Sequence, residues 1–467
     1  MQNRHYPLKV STYLSGKAGV TLLFLLLLLT VLFVFDYTPS NDGEGYLDHA
    51  RTCISQHQLY PCTELINGRP FIWNPGTINL VALSLALFNS ITPLLILMCL
   101  MKALTALFIA QTAQLLFNRR VALATIVLYA FYPNNWGQST IVQSEIPMLF
   151  FTFLAVWIIV HFMVKSRKKK SFTLLFIAGL LLAVANWFRP VALIFLLAFL
   201  LLFVLYRRHA LRNVIALLLG YLLTTAAIGT SCYLRTGYFV YQSDTLWFNM
   251  VEATYETSTS PHYNSEMFPK GTPRYIENME QKTAIECSQI WRQRSLQWLS
   301  EHPLQYLAKV PSRLFHMYKN DIDNLPAFLP EKSDPARNYV TLPLASLKTQ
   351  FLHLTATQYL ALTTTIFYFL LLLCCLFGAM LLIFRAALSQ PLSRYYSSKR
   401  RRKSLSDHTL ASRQTAFLVL FLVIGGSLAT VLAVHGETRF KAPYMPFLFM
   451  LAAYAITEIS QAYFKKS

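Results

Sequence analysis

The stretch VTLLFLLLLLTVLFVFDYTPSNDGEGYLDHA, residues 20–50, decides the fold class of this chain. Its first half, Val20–Phe35, is a hydrophobic run of the kind that crosses a bilayer as a helix. Three carboxylates, Asp42, Glu44 and Asp48, follow where that helix should leave the membrane. Because carboxylates held against a membrane are costly to desolvate, they indicate function more strongly than carboxylates on a soluble surface. The stretch therefore predicts a membrane protein whose acidic group can act on a substrate that is half lipid.

The rest of the chain repeats the hydrophobic pattern. Its 467 residues are 55% apolar and only 13% charged, and the mean hydropathy is +0.41. Apolar runs of roughly 18 or more residues recur along it, and that length spans a bilayer as a helix. Since backbone polar groups in lipid must satisfy one another, helices are the expected spanning form. These features predict an all-α polytopic membrane protein.

The net charge of +20 follows the membrane topology and does not indicate nucleic-acid binding. Basic clusters fall between hydrophobic runs, whereas the long loop 232–352 holds most of the acidic residues. This asymmetry is the positive-inside pattern, and it predicts that both termini lie in the cytoplasm. The clusters are Arg119-Arg120, Lys165 with Arg167–Lys170, Arg207-Arg208 with Arg212, Lys399–Lys403 and Lys465-Lys466.

If successive spans place every basic cluster on the cytoplasmic side, the chain has about ten spans, divided among three regions. An N-terminal transmembrane module (1–231) contains a first outer loop (36–92), a mostly helical extracytoplasmic region covers 232–352, and C-terminal transmembrane helices cover 353–467. The apolar stretch Thr77–Phe88 is too short to cross, so it is expected to lie in the outer interface. The first hydrophobic run lacks a small-residue cleavage site and is expected to stay as an anchor.

Asp42 is the leading candidate for a general base, because it lies a few residues beyond a span. The alternative is a helix cap, which Asn41 and Asp42 also fit. Glu145 opens a later apolar run, where a carboxylate is favoured by the helix dipole alone. Its functional interpretation is binding of a divalent metal ion or a sugar hydroxyl together with Asp42.

Four separated segments share the predicted outer face: the acidic loop after the first span, residues 133–145, Arg189 at a hairpin tip, and residues 437–441. Lys102 lies within a span, where it either snorkels to the interface or faces a polar cavity that binds an anion. Arg439 and Lys441 flank the last outer turn, where interface anchoring is the alternative role. Further candidates for substrate binding are Glu44, Tyr46 and Glu437.

Basic groups opposite acidic groups at a membrane face suit one chemistry especially well. A sugar linked through phosphate to a long isoprenoid lipid presents its anomeric carbon at the bilayer edge. Cations stabilise the departing phosphate as its charge grows, and a carboxylate takes the proton of the attacking acceptor.

The seven cysteines show no metal-binding spacing. Cys53 and Cys62 share the first outer loop and could form a disulfide in an oxidising compartment. The chain contains no Asn-X-Ser/Thr glycosylation acceptor, which mildly favours a bacterial source.

The order and spacing of these motifs resemble the membrane glycosyltransferases of the GT-C fold. The chain is similar to the bacterial relatives of protein O-mannosyltransferases and of the lipid A aminoarabinose transferase, and it resembles glycosyltransferase family 39. Two departures occur: Gly43 separates Asp42 from Glu44, and the usual Pro-Pro pair is Asn74-Pro75. The matching segments are PSNDGEGYLDHA (39–50), WNPGTINLVALSLALF (73–88), NRRVALATIVLYAFYPNNWGQSTIVQSEIPMLFF (118–151), NWFRP (186–190), WLSEHPLQYLAKVPSRLF (298–315) and GETRFKAPYMPFLFM (436–450).

The resemblance implies a GT-C-type helix bundle with interfacial helices on its outer face. It implies catalysis by Asp42, a role for Glu145 near the site, and roles for Lys102, Arg189 and Arg439 near a lipid phosphate. The expected function is inverting transfer of a sugar from a polyprenyl-phosphate donor to an extracytoplasmic lipid, glycan or protein, in the bacterial inner membrane. Three alternatives are an O-antigen polymerase or ligase, a lipid-linked sugar flippase, and a non-catalytic scaffold for cell-wall assembly.

Overall fold

A computed structural model describes residues 11–38, 40–165, 171–206, 210–255, 270–328, 354–388 and 412–464. Within these ranges the chain forms helices and connecting loops, and no strand occurs. The predicted all-α membrane fold is therefore confirmed. The basic clusters Arg167–Lys170, Arg207-Arg208, Lys399–Lys403 and Lys465-Lys466, and the expected boundary at 352/353, lie outside the described residues.

In the described ranges, the first half of the chain forms eleven α-helices, most of them strongly apolar. They are α1 (Ser11–Phe35), α2 (Asn41–Ser55), α3 (Thr63–Asn67), α4 (Pro75–Phe88), α5 (Thr92–Leu116), α6 (Arg119–Ala130), α7 (Asn134–Gly137), α8 (Glu145–Lys165), α9 (Ser171–Phe188), α10 (Ala192–Tyr206) and α11 (Ala210–Thr236).

Among the described residues, the second half forms a smaller helical region of four helices and then four apolar helices. They are α12 (Leu246–Tyr255), α13 (Ala284–Glu301), α14 (Pro303–Ala308), α15 (Val310–Tyr318), α16 (Ala356–Leu388), α17 (Ser412–Leu420), α18 (Gly426–Ala433) and α19 (Met445–Phe464). A π-helical turn, Phe421–Gly425, joins α17 to α18, so the two form one continuous apolar rod.

Seven helical stretches in the described part of the chain are long and apolar enough to cross a membrane. They lie in α1, α5, α8, α11, α16, α17–α18 and α19. The other three predicted spans correspond to the shorter helices α6, α9 and α10. The apolar stretch expected in the interface forms α4, a helix of 14 residues, and its position in the interface stays a prediction.

Glycines allow the bundle helices to pack closely. A Cβ at Gly179 of α9 would lie 2.1 Å from the Leu217 carbonyl oxygen, and a Cβ at Gly220 of α11 would lie 2.1 Å from that of Phe176. The backbones of α9 and α11 therefore approach each other as small residues permit in membrane helix pairs.

Local sequence explains why α2 begins where it does. The Ser40 hydroxyl accepts a hydrogen bond of 3.0 Å from the Gly43 amide, so Ser40 is the N-cap. Asp42 and Glu44 lie in the first turn, where the helix dipole favours negative charge. The cap is thus one residue earlier than the Asn41 and Asp42 considered from the sequence, and Asp42 does not serve as the cap.

We call the end of the bundle where α2, the turn after α6, the hairpin after α9 and the turn before α19 come together the loop face. The Thr38 amide donates to the Thr140 carbonyl at 2.8 Å, which joins two of these segments. Lys441 joins a third segment, the turn before α19, to Asn320 and Asp321.

Candidate active site

The first contact of the site joins α2 to the last turn of the loop face. The guanidinium of Arg439, in the 3-10 turn Thr438–Lys441, forms an ion pair with the Asp42 carboxylate through Nη1 and Oδ2. The Asp42 and Arg439 side chains keep 28% and 39% of their surface exposed. The pair is therefore held by the protein and still open to a substrate.

Arg439 also holds a second carboxylate. Its Nε lies 2.9 Å from Oε1 of Glu437, and the Nε2 atom of His435 lies 3.7 Å from the other oxygen of Glu437. Burial alone would raise the pKa of the Glu437 carboxyl, but Arg439, His435 and Arg189 outweigh it and hold that pKa well below its ordinary value. Glu437 is therefore a fixed negative charge beside Arg439.

The second ion pair joins α8 to the hairpin after α9. Arg189 Nη1 contacts Oε1 of Glu145, the first residue of α8, and the two side chains are only 13% and 8% exposed. The Ser144 hydroxyl donates to the other Glu145 oxygen at 3.2 Å. A pair this deeply placed keeps its geometry better than a surface pair does.

An aromatic ring lies between the two arginines. The guanidinium carbon of Arg189 lies 5.5 Å from the centre of the Phe440 ring, and that of Arg439 lies 5.9 Å from it. Both distances are within the range of cation–π attraction. Phe440 therefore keeps the two cations of the site close together.

Tyr46 and Asn74 form the floor beneath the charged groups. The Asn74 side-chain amide donates to the Tyr46 hydroxyl at 2.7 Å and to the Ser144 hydroxyl at 3.2 Å. Tyr46 is fully buried, and burial raises the pKa of its phenol, so it stays a neutral hydrogen-bonding group. A Cβ at Gly45 would lie 2.3 Å from the Trp73 ring, so only glycine lets α2 approach this floor.

Asp42, Glu145, Arg189, Glu437 and Arg439 together form what we call the charge cluster. Arg439 is electrostatically coupled to all three acids, and Arg189 is coupled to Glu145 and Glu437. These five residues come from four segments that are distant in the sequence. Three acids against two arginines leave one excess negative charge, so the cluster can both accept a proton and hold an anionic group on its cations.

Asp42 and Glu145 do not fit the divalent metal site considered from the sequence. Each carboxylate forms an ion pair with an arginine, and the two carboxylates do not point at a common position where a metal ion could bind both. Within the described ranges, no group of three or more His, Cys, Asp or Glu side chains is placed to hold a metal ion.

Three of the candidates from the sequence lie away from the charge cluster. Glu44 is exposed and accepts a hydrogen bond of 2.7 Å from the Tyr37 hydroxyl. The Lys102 amine is buried, donates to the amide oxygens of Asn135 and Gln138, and neither snorkels nor reaches the cluster. The structure thus gives Lys102 a packing role at the turn after α6.

Lys441 also points away from the cluster, although it is only two residues from Arg439. Its amine lies 2.9 Å from the Asp321 carboxylate and donates to the carbonyls of Asn320 at 2.7 Å and Thr438 at 2.8 Å. The residue is 1% exposed. Lys441 therefore ties the last turn of the loop face to the segment after α15.

Sequence reasoning missed four residues of the site. Ser144, His435 and Phe440 contact the charge cluster, and Asn74 contacts Tyr46 and Ser144. His435 and Phe440 flank Glu437 and Arg439 in HGETRF, and this adjacency is a signal that could have identified them. Ser144 directly precedes Glu145 and carries the same signal. Asn74 carries none, because an isolated asparagine in a loop is usually a turn residue.

Comparisons with known proteins agree with this architecture. The family model for dolichyl-phosphate-mannose-protein mannosyltransferases matches residues 74–233, which include α4, Glu145 and Arg189. A comparison with curated proteins found no match.

Two solved structures share the fold. One is the oligosaccharyltransferase of Archaeoglobus fulgidus in its apo form, with 12% identity and a TM-score of 0.50 over 97% of this chain and 51% of that one. The other is the oligosaccharyltransferase AglB of the same organism in complex with an inhibitory peptide and a dolichol-phosphate, with 12% identity and a TM-score of 0.50 over 96% and 50%. This chain spans about half the length of those proteins. The resemblance to GT-C membrane glycosyltransferases is confirmed at the level of the fold.

Proposed function

We propose that this GT-C membrane protein is an inverting glycosyltransferase that moves a sugar from a polyprenyl-phosphate donor to an acceptor hydroxyl. The observation that carries the proposal is the meeting of Asp42 and Arg439 beside Glu145 and Arg189 at one end of a membrane bundle. The matched mannosyltransferase segment and the fold shared with an oligosaccharyltransferase support a lipid-linked donor.

Asp42 acts as the general base of the proposed reaction. Its carboxylate takes the proton of the acceptor hydroxyl as that oxygen attacks the anomeric carbon from the side opposite the phosphate. The bond between the anomeric carbon and the phosphate oxygen breaks, and its electron pair leaves with the polyprenyl phosphate. One displacement inverts the anomeric configuration, and the proton remains on Asp42 until it passes to water.

Arg189 holds the leaving phosphate in the proposed reaction. A guanidinium carries five N–H donors, which is more than one carboxylate oxygen takes up, so Arg189 can hold Glu145 and a phosphate oxygen together. Charge-assisted hydrogen bonds of this kind strengthen as negative charge develops on the leaving group. Arg439 divides its contacts between Asp42 and Glu437, so it mainly positions the base.

The proposed location follows from the charge pattern and the fold. The loop face lies outside the cytoplasm, in the bacterial inner membrane, with both termini inside. The lipid tail of the donor stays in the bilayer beside the bundle, and the acceptor (a lipid, a glycan or a protein) arrives from the aqueous side.

The test measures the leaving group directly. Purified protein in lipid nanodiscs is incubated with a polyprenyl-phosphate sugar labelled in both halves and with an extract of cell-envelope acceptors. The proposal expects free polyprenyl monophosphate in equal amount to transferred sugar, and neither product with Asp42→Asn. Release of a polyprenyl diphosphate from a diphosphate-linked oligosaccharide would instead favour the polymerase or ligase alternative, and movement of intact donor across the bilayer would favour a flippase.

A further inference from the structure

Cys53 and Cys62 lie side by side at the end of the helix that carries Asp42. Cys53 is in the last turn of α2, and Cys62 is the N-cap residue of α3. Both are fully buried, and the Cys53 thiol donates a hydrogen bond to the Cys62 sulfur. The structure therefore holds two thiols in direct contact within the predicted first outer loop.

Hydrogen bonds hold the chain between the two cysteines in place from several sides. The Gln58 amide donates to the Cys53 carbonyl at 3.0 Å, which closes the turn after α2. The Tyr60 amide donates to the Asn79 side chain at 2.9 Å, and the Asn79 amide group donates back to the Tyr60 carbonyl at 2.8 Å. Arg235 donates to the Pro61 carbonyl at 2.9 Å. The two sulfurs are thus kept together by their surroundings.

The same segment supports the floor of the charge cluster. The Tyr60 hydroxyl accepts a hydrogen bond of 2.8 Å from the Trp73 amide, and Trp73 packs on Tyr46 with ring centres 5.0 Å apart. A covalent link at the end of α2 would therefore fix both the helix that carries Asp42 and the segment that supports Trp73.

We propose that Cys53 and Cys62 form a structural disulfide in the mature protein, and that this bond ties α2 to α3 beneath the charge cluster. The proposal requires the loop face to lie in an oxidising compartment, where such bonds persist. It does not depend on the glycosyltransferase reaction, so either proposal can fail without the other.

The bond forms by thiol–disulfide exchange. The Cys62 thiolate attacks one sulfur of an external disulfide, supplied by an oxidase protein or a small disulfide molecule, and displaces a thiolate. Cys53 then loses its proton and attacks the Cys62 sulfur, which displaces the second thiolate. Two thiols are oxidised to one disulfide, and the external disulfide is reduced to two thiols.

The electrostatic surroundings favour Cys62 as the attacking group. Accepting a hydrogen bond from Cys53 lowers the pKa of the Cys62 thiol, whereas donating that bond, and to a lesser degree burial, raises the pKa of the Cys53 thiol. A thiol with a lowered pKa is the better nucleophile at neutral pH.

The test counts free thiols in the whole protein. Cells that produce the full-length chain are lysed directly into denaturant with N-ethylmaleimide, and the intact mass is measured with and without prior reduction. The proposal expects five of the seven cysteines to be labelled before reduction and all seven after it. Labelling of all seven without reductant would overturn it, and this result needs no variant that must fold.

Matched variants locate the bond. Cys287→Ser removes another buried cysteine of the outer region and should leave the bond intact, with four of six labelled before reduction. Cys53→Ser should expose Cys62 to the reagent, with six of six labelled. Reduction should lower the temperature of thermal unfolding of the parent and of Cys287→Ser, but not that of a Cys53→Ser/Cys62→Ser variant. Six of six labelled in Cys287→Ser would assign the bond to Cys287 and overturn the proposal.

Discussion

Arg439 follows Asp42 by 397 positions in the sequence, and its guanidinium nevertheless forms an ion pair with the Asp42 carboxylate. The contact joins the first helix of the loop face to the turn before the last helix of the bundle. Neither residue is closed off from solvent, so the pair places the carboxylate without removing it from a substrate. Variants of Asp42 therefore test the proposed base itself, and variants of Arg439 test how that base is positioned.

Replacing Asp42 by Asn should abolish turnover while leaving the protein folded and the donor lipid bound. The amide keeps the shape of the side chain but cannot take a proton, and loss of a general base costs about 10²–10⁴-fold in rate. Turnover and donor binding are measured on the same purified protein. Glu44→Gln is the control, because Glu44 is exposed and lies outside the charge cluster, and it should stay within about threefold of the parent. Near-parental turnover by Asp42→Asn would remove the residue from the mechanism.

Replacing Arg439 by Lys should lower kcat by about tenfold or more with little change in the affinity for donor. A lysine ammonium is a compact point charge and cannot contact Asp42 and Glu437 at once, as the guanidinium does. Steady-state kinetics separate kcat from KM. Arg51→Lys is the matched control, since Arg51 makes an exposed i,i+3 ion pair with Asp48. Equal kinetics for the two variants would show that charge alone suffices at position 439.

The ion pair between Glu145 and Arg189 should show strong coupling in a double-mutant cycle. Both side chains are largely buried, so removal of one partner leaves an unpaired charge and costs about 3–5 kcal/mol. Glu145→Gln and Arg189→Met should each be strongly destabilised, and the double variant should be less destabilised than the sum. Thermal unfolding in one detergent, at one pH, gives the comparison. Additive losses would mean that the two residues act independently.

The lowered pKa of Glu437 sets a pH window for its contribution to stability. A carboxyl whose pKa is lower in the folded than in the unfolded protein stabilises the fold above its unfolded pKa, about 4.3 for Glu. That contribution is lost as the pH falls further, through the folded pKa. The difference in unfolding temperature between the parent and Glu437→Gln should therefore stay constant from pH 8 to pH 5 and shrink only below that. A difference that already closes between pH 7 and pH 5 would contradict the direction of the shift.

The helices and the convergence of the charged segments could be predicted because they follow from simple physical rules. Long apolar runs must be helical in lipid, and basic clusters report which ends of the helices share a face. This reasoning already placed Asp42, Glu145, Arg189 and Arg439 on one face. Their pairing could not be predicted, because it depends on how the bundle closes.

The partners of Lys102 and Lys441 could not be predicted from the sequence. A lysine within an apolar run must find polar partners, but the sequence does not say whether they belong to a ligand or to a neighbouring turn. Here they are Asn135 and Gln138. Lys441 and Arg439 share a 3-10 turn, in which residues two apart point in different directions, so only one of them faces the charge cluster. The turn type is a tertiary feature and leaves no clear trace in GETRFKAP.

The ion pair between Lys441 and Asp321 should therefore affect activity by positioning Arg439, and not by contacting the substrate. Lys441 fastens the turn that carries Arg439, and the amine is buried with a carboxylate and two carbonyls around it. Lys441→Met leaves those acceptors without their donor, so we expect a loss of about 3–5 kcal/mol in stability and a fall in kcat of about tenfold or more. Lys319→Met, on the neighbouring segment, is the control. If Lys441→Met lowered the affinity for donor and left the unfolding temperature and kcat unchanged, its amine would have to bind the donor phosphate.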